Sequence, residues 1–246
     1  LRRAWKLVLL NQFHDIIPGS SIGPVYAETE AQYAALAEEV TRLRDEALGA
    51  IAGRVGGDVL LVNPTSFPQS GLVFIPGETA VSCSRAGQPL DRQPVNGGLL
   101  VDAGELPPYS ITAVDRNHSQ QLPPSERPGS DEADNMVLEN ELLRVEFSPD
   151  GEISRIFDKA ARREVLPEGA MANQFQLFED RPMNFEAWDI DIYYDDKMWL
   201  FEPAKSIRQI ESGPLRQTVE ITRQYQDSTI TQQISIQRGS SRIDYH

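Results

Sequence analysis

The chain has 246 residues, with 23 Lys+Arg against 37 Asp+Glu for a formal net charge of −14, 40% hydrophobic residues, 17 Gly and 17 Pro. So acidic a balance excludes nucleic acid and anionic membrane as expected partners, because phosphate backbones are held by clustered Lys and Arg that release counterions. The longest apolar run, residues 7–10, falls far short of the roughly 20 residues of a membrane span. The length admits one large domain or two small ones with a real core. The only cysteine, Cys83, rules out an internal disulfide framework and a thiolate zinc cluster and points to a reducing, cytoplasmic setting. The chain opens inside LRRAWKLVLLNQFHD, already structured by composition, and is expected to be a piece of something longer.

Residues 4–13 are apolar nearly all round. Periodicity cannot separate a buried helix from a buried strand there, but the run exceeds a typical strand of about 5–6 residues, so a helix is expected. Over residues 25–54 the apolar positions Tyr33, Leu36, Val40, Leu43, Ala47 and Ile51 recur at steps of three and four. That is one stripe of a long helix packed on a partner, with Glu38, Glu39, Arg42, Arg44, Asp45 and Glu46 on its solvated faces. Gly56-Gly57 supplies the stop.

After Gly57 the texture changes to short β-branched runs between Pro and Gly: DVLLVNP, SGLVFIP, GGLLVDA and YSITAVD, the strands of a small sandwich-like unit. NHSQQLPPSERPGSDEADN has no apolar periodicity and reads as a linker. MVLENELLRVEFSPDGEISRIFDK then alternates about a turn at Pro149-Asp150-Gly151, and QTVEITRQYQDSTITQQISIQR predicts two long antiparallel strands meeting near Asp227-Ser228. The expected fold is α+β and multidomain. It comprises a helical-bundle segment at 1–56, a small β-sandwich-like unit at 57–116, a linker at 117–135, and a larger, truncated antiparallel β-sandwich at 136–246.

The most informative segment is NQFHDIIPGSS. His14 and Asp15 fall where Pro18-Gly19-Ser20-Ser21 forbids helix continuation. A histidine at a helix C-terminus can simply complement the dipole or donate to orphan carbonyls. The alternative is metal ligation, since neutral imidazole suits Zn²⁺ and the neighbouring carboxylate suits a substrate hydroxyl or a second ligand position. A catalytic zinc takes about three protein ligands, and His118, in the linker, and His246, at the last position, do not complete the set.

LNQFHDIIPGSSI, followed by Val25-Tyr26 and a long helix, resembles the middle-domain signature of retaining α-mannosidases of glycoside hydrolase family 38. LENELLRVEFSPDGEISRIFDKAARREVL and NQFQLFEDRPMNFEAWDIDIYY are similar to the opening of that family's C-terminal β domain, a supersandwich of the galactose mutarotase-like kind. The resemblance implies an enzyme that hydrolyses terminal α-mannosidic bonds in oligosaccharides through a covalent mannosyl-enzyme intermediate. It further implies one Zn²⁺ held by an N-terminal catalytic domain together with His14, with Asp15 facing the bound mannose. Phe13, where the Golgi and lysosomal branches often carry a second His, points to the branch of bacterial and vacuolar or cytosolic enzymes. The nucleophile and the acid/base carboxylate belong to the missing N-terminal domain, so no catalytic residue is expected among these residues and the isolated piece is expected to be inactive. Its partners are then mannosides and that domain, with a homo-oligomer left open.

DRPMNFEAWDIDIYYDDKMW sets carboxylates among aromatic rings, as sugar sites do. The resemblance implies that this β domain lends loops to the catalytic cleft, which makes Trp188 and Asp189 the expected substrate contacts, against the plainer reading of an acidic solvated loop whose rings fill core or a domain interface. A calcium site from Asp189, Asp191 and Asp195 lacks the Gly and bidentate Glu of the standard loop. Asn117-His118-Ser119 fits a glycosylation acceptor formally, whereas Asn63-Pro64-Thr65 does not. A non-catalytic carbohydrate-binding or structural β module is the rival reading. A mutarotase-like enzyme lacks the paired His and carboxylate base it needs in the β region.

Overall fold

The computed structural model describes residues 1–77, 79, 81–117, 136–186 and 188–246, so the expected linker lies, Asn117 apart, outside the described residues. These gather into two compact units: Leu1–Gly56 with Phe178–Met198, and Gly57–Leu177 with Trp199–His246.

The first unit carries α1 (Arg2–Asn11) and α2 (Gly23–Val55). Pro24 occupies the first turn of α2, where its missing N–H is harmless, and Gly56 at φ 74° ends the helix. At 1.5 Å per residue α1 is about 15 Å long and α2 about 50 Å. Most of α2 therefore extends past anything a helix as short as α1 can cover. The stripe read from the sequence behaves accordingly: Leu36 is buried, but Tyr33 and Val40 stay 38% and 39% exposed.

The second unit begins with β1 (Val59–Asn63), β2 (Leu72–Pro76), β3 (Ser82–Arg85), β4 (Gln88–Pro89), β5 (Arg92–Val95), β6 (Gly98–Asp102) and β7 (Ser110–Asn117). They form antiparallel sheets in the orders β1-β7-β3-β4 and β2-β6-β5 around Leu61, Ile75, Val81, Leu99, Val101 and Val114. The apolar runs predicted β1, β2, β6 and β7. Strands β3 and β5, SCSR and RQPV, carry too little apolar alternation to announce themselves.

The larger sandwich pairs two further four-stranded sheets. One is β11-β10-β9-β8, from β8 (Val137–Glu139), β9 (Leu143–Phe147), β10 (Ile153–Asp158) and β11 (Arg163–Glu164). Next in the chain, β12 (Gln176–Phe178) and β13 (Met198–Leu200) form a two-stranded ribbon through which the backbone enters and leaves segment 178–198. The other sheet is β14-β15-β16-β17, from β14 (Ser206–Ser212), β15 (Arg216–Tyr225), β16 (Ser228–Gln237) and β17 (Ile243–Tyr245). Leu138, Val145, Phe147 and Ile153 from the first sheet share one core with Ile207, Val219, Ile221, Ile234 and Ile236 from the second. The fold is thus α+β, with helices followed by antiparallel sandwich-like sheets.

Both hairpins read from the sequence are present. Ser148 donates its N–H to Glu152 (2.8 Å) across Pro149-Asp150-Gly151, and Tyr225 pairs with Ser228 across Gln226-Asp227. Gly151 is required twice over: its φ is 82°, and a Cβ there would stand 2.9 Å from both Arg223 Nη2 and Ile221 Cγ2.

A polar seam joins the two sandwiches of this unit. The Gln93 side chain, 4% exposed, enters the turn after β14. Its Oε1 accepts the N–H groups of Leu215 (2.9 Å) and Arg216 (2.8 Å), and its Nε2 donates to the Arg216 carbonyl at 2.8 Å. Gly213 makes the room, because a Cβ there would meet Gln93 Cδ at 2.1 Å. Beside it Arg238 bridges Asp91 (2.8 Å) and Asp102 (2.6 Å), and this hydrogen bond holds the Asp102 carboxyl below the usual carboxylate range.

Truncating Gln93→Ala leaves the Leu215 and Arg216 N–H groups without their acceptor, the Arg216 carbonyl keeping the Gly213 N–H, and should cost about 2–3 kcal/mol, read as a lowered urea midpoint; an unchanged midpoint would remove the seam from the stability account. Asp102 binds a proton less readily folded than unfolded. Its contribution is therefore complete above the unfolded carboxylate pKa of about 4 and is lost as pH falls through the lower folded value. Asp102→Asn should accordingly lower Tm at neutral pH and converge on the parent protein in acid.

Candidate functional site

Helix α1 runs into a chain of tight turns instead of stopping at one cap. Phe13 donates its N–H to Leu10 (3.2 Å), Ile16 and Ile17 donate to the Phe13 carbonyl (2.9 and 3.2 Å), and Gly19, at φ 85°, donates to Ile16 (3.2 Å). Pro18 has no N–H to extend the ladder. His14 and Asp15 sit on the turn closed by Phe13 and Ile16, with His14 Nε2 3.6 Å from Asp15 Oδ1 and the Phe13 ring 4.2 Å from the imidazole. The His14 side chain is 74% exposed and that of Asp15 41%.

Helix α2 holds this loop in place. The Asp15 carbonyl accepts Ser20 Oγ (3.4 Å) and the Tyr26 hydroxyl (3.3 Å), while the same hydroxyl accepts the Ser21 N–H at 2.7 Å. One turn back, Asn11, 6% exposed, donates to Gln32 Oε1 (2.9 Å) and accepts Thr29 Oγ1 (3.3 Å). None of Asn11, Tyr26, Thr29 or Gln32 stands out as a site residue in the sequence. The signal that could have found them is their spacing, since Tyr26, Thr29 and Gln32 share one face of α2 and Asn11 lies three residues before His14.

The donor chemistry of His14 fits zinc, since its exposed imidazole offers a ring nitrogen as ligand, and the Asp15 carboxylate 3.6 Å away stands beside that nitrogen. One such ligand falls short of a complete site. Among the described residues, no group of three His, Cys, Asp or Glu is disposed to hold a metal ion, which also disposes of calcium at Asp189, Asp191 and Asp195. Asp191 Oδ2 accepts the Met183 N–H at 2.6 Å instead.

Trp188 and Asp189 lie in the same compact unit, on a turn where both N–H groups donate to the Phe185 carbonyl (2.7 and 2.9 Å). Phe185 takes φ 56° to make that turn, and Trp188 is 58% exposed. Glu179 braces the segment through Arg181 (2.6 Å) and Lys197 (2.7 Å), and the Lys197 bond holds its carboxyl below the ordinary range. No hydrogen bond or ring contact among the described residues joins Trp188 or Asp189 to His14 or Asp15. The structure thus brings the first pair together and shows no bond between it and the second.

Residues 1–51 match the family model of the α-mannosidase middle domain, and residues 138–246 match that of the glycosyl hydrolases family 38 C-terminal domain. The chain belongs to glycoside hydrolase family 38. It is similar along its whole length to the α-mannosidase 2C1 of Homo sapiens, at 28% identity, and to that of Mus musculus, at 26%, covering 23% of each. It is also 24% identical to α-mannosidase G of Dictyostelium discoideum, again over all of this chain and 26% of the relative. The chain therefore spans about a quarter of the length of the curated relatives it matches. In this family 38 chain, the middle-domain match contains α1, the His14–Asp15 turn and nearly all of α2.

Tyr26→Phe removes the donor to Asp15 and the acceptor for Ser21 while sparing the ring. The expected result is a loss of about 1–2 kcal/mol of stability. Amide exchange should also quicken across residues 13–21, and unchanged exchange there would show that the hydroxyl does not hold the loop.

Proposed function

We propose that the polypeptide carrying this chain is a retaining α-mannosidase that releases terminal α-linked mannose from oligosaccharides, and that this stretch lends it one zinc ligand and part of the cleft wall. The observation that carries the reading is the His14–Asp15 pair, exposed at the end of α1 yet fixed through its backbone by Tyr26 and Ser20, inside the segment that matches the middle domain. A structural histidine needs no such arrangement. A ligand does, because a metal site depends on the groups that orient its ligands as much as on the ligands themselves.

His14 would present a neutral imidazole nitrogen to the metal, with the remaining ligands coming from outside these residues. Zinc, when bound, supplies a Lewis acid that grips and polarises sugar hydroxyls. Asp15 accepts a hydrogen bond from a mannose hydroxyl, and the open face of Trp188 offers a stacking surface for sugar C–H groups beside the Asp189 carboxylate. The nucleophile and acid/base pair are supplied from elsewhere in the enzyme. Cys83, buried and with its thiol pushed up by desolvation, has no need of oxidation, and a cytoplasmic location belongs to this proposal.

In the full-length enzyme His14→Ala should abolish tight zinc binding and turnover together, by metal analysis and mannoside assay; full metal content at normal turnover would sink the assignment. Asp15→Asn should keep the metal and lower kcat/KM by about 10–100-fold. The half-exposed Trp188 beside Asp189 leaves a second reading, a carbohydrate-binding module. Saturable mannoside binding by residues 1–246 alone would favour it.

A further inference from the structure

The sheet orders leave β1 and β2 as outer strands, so each presents a row of backbone N–H and C=O groups with no ladder partner among the described residues. The two edges flank a groove of about 520 Å³, lined by residues 59–62 of β1 and 73–76 of β2 together with Asp58, Leu106 and Arg116. That consecutive residues line it is the telling feature. A strand turning its face to a cavity contributes every second residue, whereas a strand offering its edge contributes all of them. Four residues at about 3.3 Å each give roughly 13 Å, the length of an extended segment of about four residues.

The groove's chemistry specifies its occupant. Free backbone edges select an extended peptide over a small molecule, because main-chain bonds supply the affinity and alternate side-chain pockets the register. The walls are apolar, and Val62 and Phe74 remain 38% and 48% exposed. Arg116 adds a charge requirement, since its Nε is buried with no hydrogen-bond acceptor among the described residues.

We propose that an extended apolar segment of the same polypeptide, from outside residues 1–246 and carrying a carboxylate that meets Arg116, adds as a strand to the β1 edge and packs against β2. The relatives contain all of this chain in 23% and 26% of their length, which leaves 77% and 74% of the polypeptide outside it to supply the strand. A second copy is the poorer occupant, because each carries a formal charge of −14 and the two repel. The residues at 118–135 offer polar groups and three prolines where an inserted strand needs apolar alternation. This inference stands apart from the zinc reading and survives or fails without it.

The test uses the full-length protein with a photo-crosslinking amino acid at Val62, and separately at Phe74. The expected product is an intramolecular crosslink to a peptide outside residues 1–246, formed in a yield that does not change over a tenfold range of protein concentration. The β1 amides should exchange at least tenfold more slowly than the exposed loop amides of the same protein, and Arg116→Met should reduce the crosslink yield several-fold. Crosslinks between copies or to residues 118–135 would overturn the proposal, as would β1 amides that exchange at loop rates with no crosslink.

Discussion

A single glutamine side chain governs how the β region of this protein is assembled. The turn between β14 and β15 closes on the Arg216 carbonyl through the Gly213 N–H but must still satisfy the N–H groups of Leu215 and Arg216. Gln93 reaches them because its amide offers donor and acceptor in the geometry of a peptide group, and because Gly213 leaves the space. Two small sheets and a large sandwich, each with its own core, are thereby built into one compact unit instead of two units on a tether. The Arg238 bridges to Asp91 and Asp102 reinforce the same line but are more exposed, and water screens what they contribute.

The β architecture was legible wherever apolar residues alternate or cluster between turn formers. Strands β1, β9, β15 and β16 and both tight turns follow from pattern alone. Strands β3, β5 and β14 escaped because what makes them strands is a neighbour's hydrogen-bonding edge: SCSR and SIRQIES carry little hydrophobic signal of their own. The helices were equally readable as helices. How much of the α2 stripe is buried was not, because burial depends on the length of the partner, and α1 covers only a fraction of α2.

For the candidate site, the sequence singled out the turn that carries His14 and Asp15 and missed what holds it. His14 and Asp15 draw notice because their side chains carry recognisable chemistry. Tyr26 and Asn11 act on backbone carbonyls and on other polar side chains, and such roles leave no mark in a single sequence beyond a shared helix face. The consequence is a division of labour within one helix–loop–helix: α1 ends in the exposed His14 and Asp15 side chains, and α2 fixes the path of the backbone that bears them. Trp188 and Asp189 sit on a turn of their own, so the two clusters depend on different local constraints even though they share a compact unit.

The Gln93 seam also orders events in time. Its partners lie 122 and 123 residues further along the chain. At about 5–20 residues per second, Gln93 emerges from a ribosome some 6–25 seconds before the turn that will enclose it. Until then β5 carries an unburied amide beside a core that is otherwise complete, and the small sheets stay open on the side that later meets the sandwich. Contacts of such long sequence separation form late and slowly. Closing the seam is therefore a late docking reaction within this unit, and Gly213 is the residue that keeps the door wide enough for it.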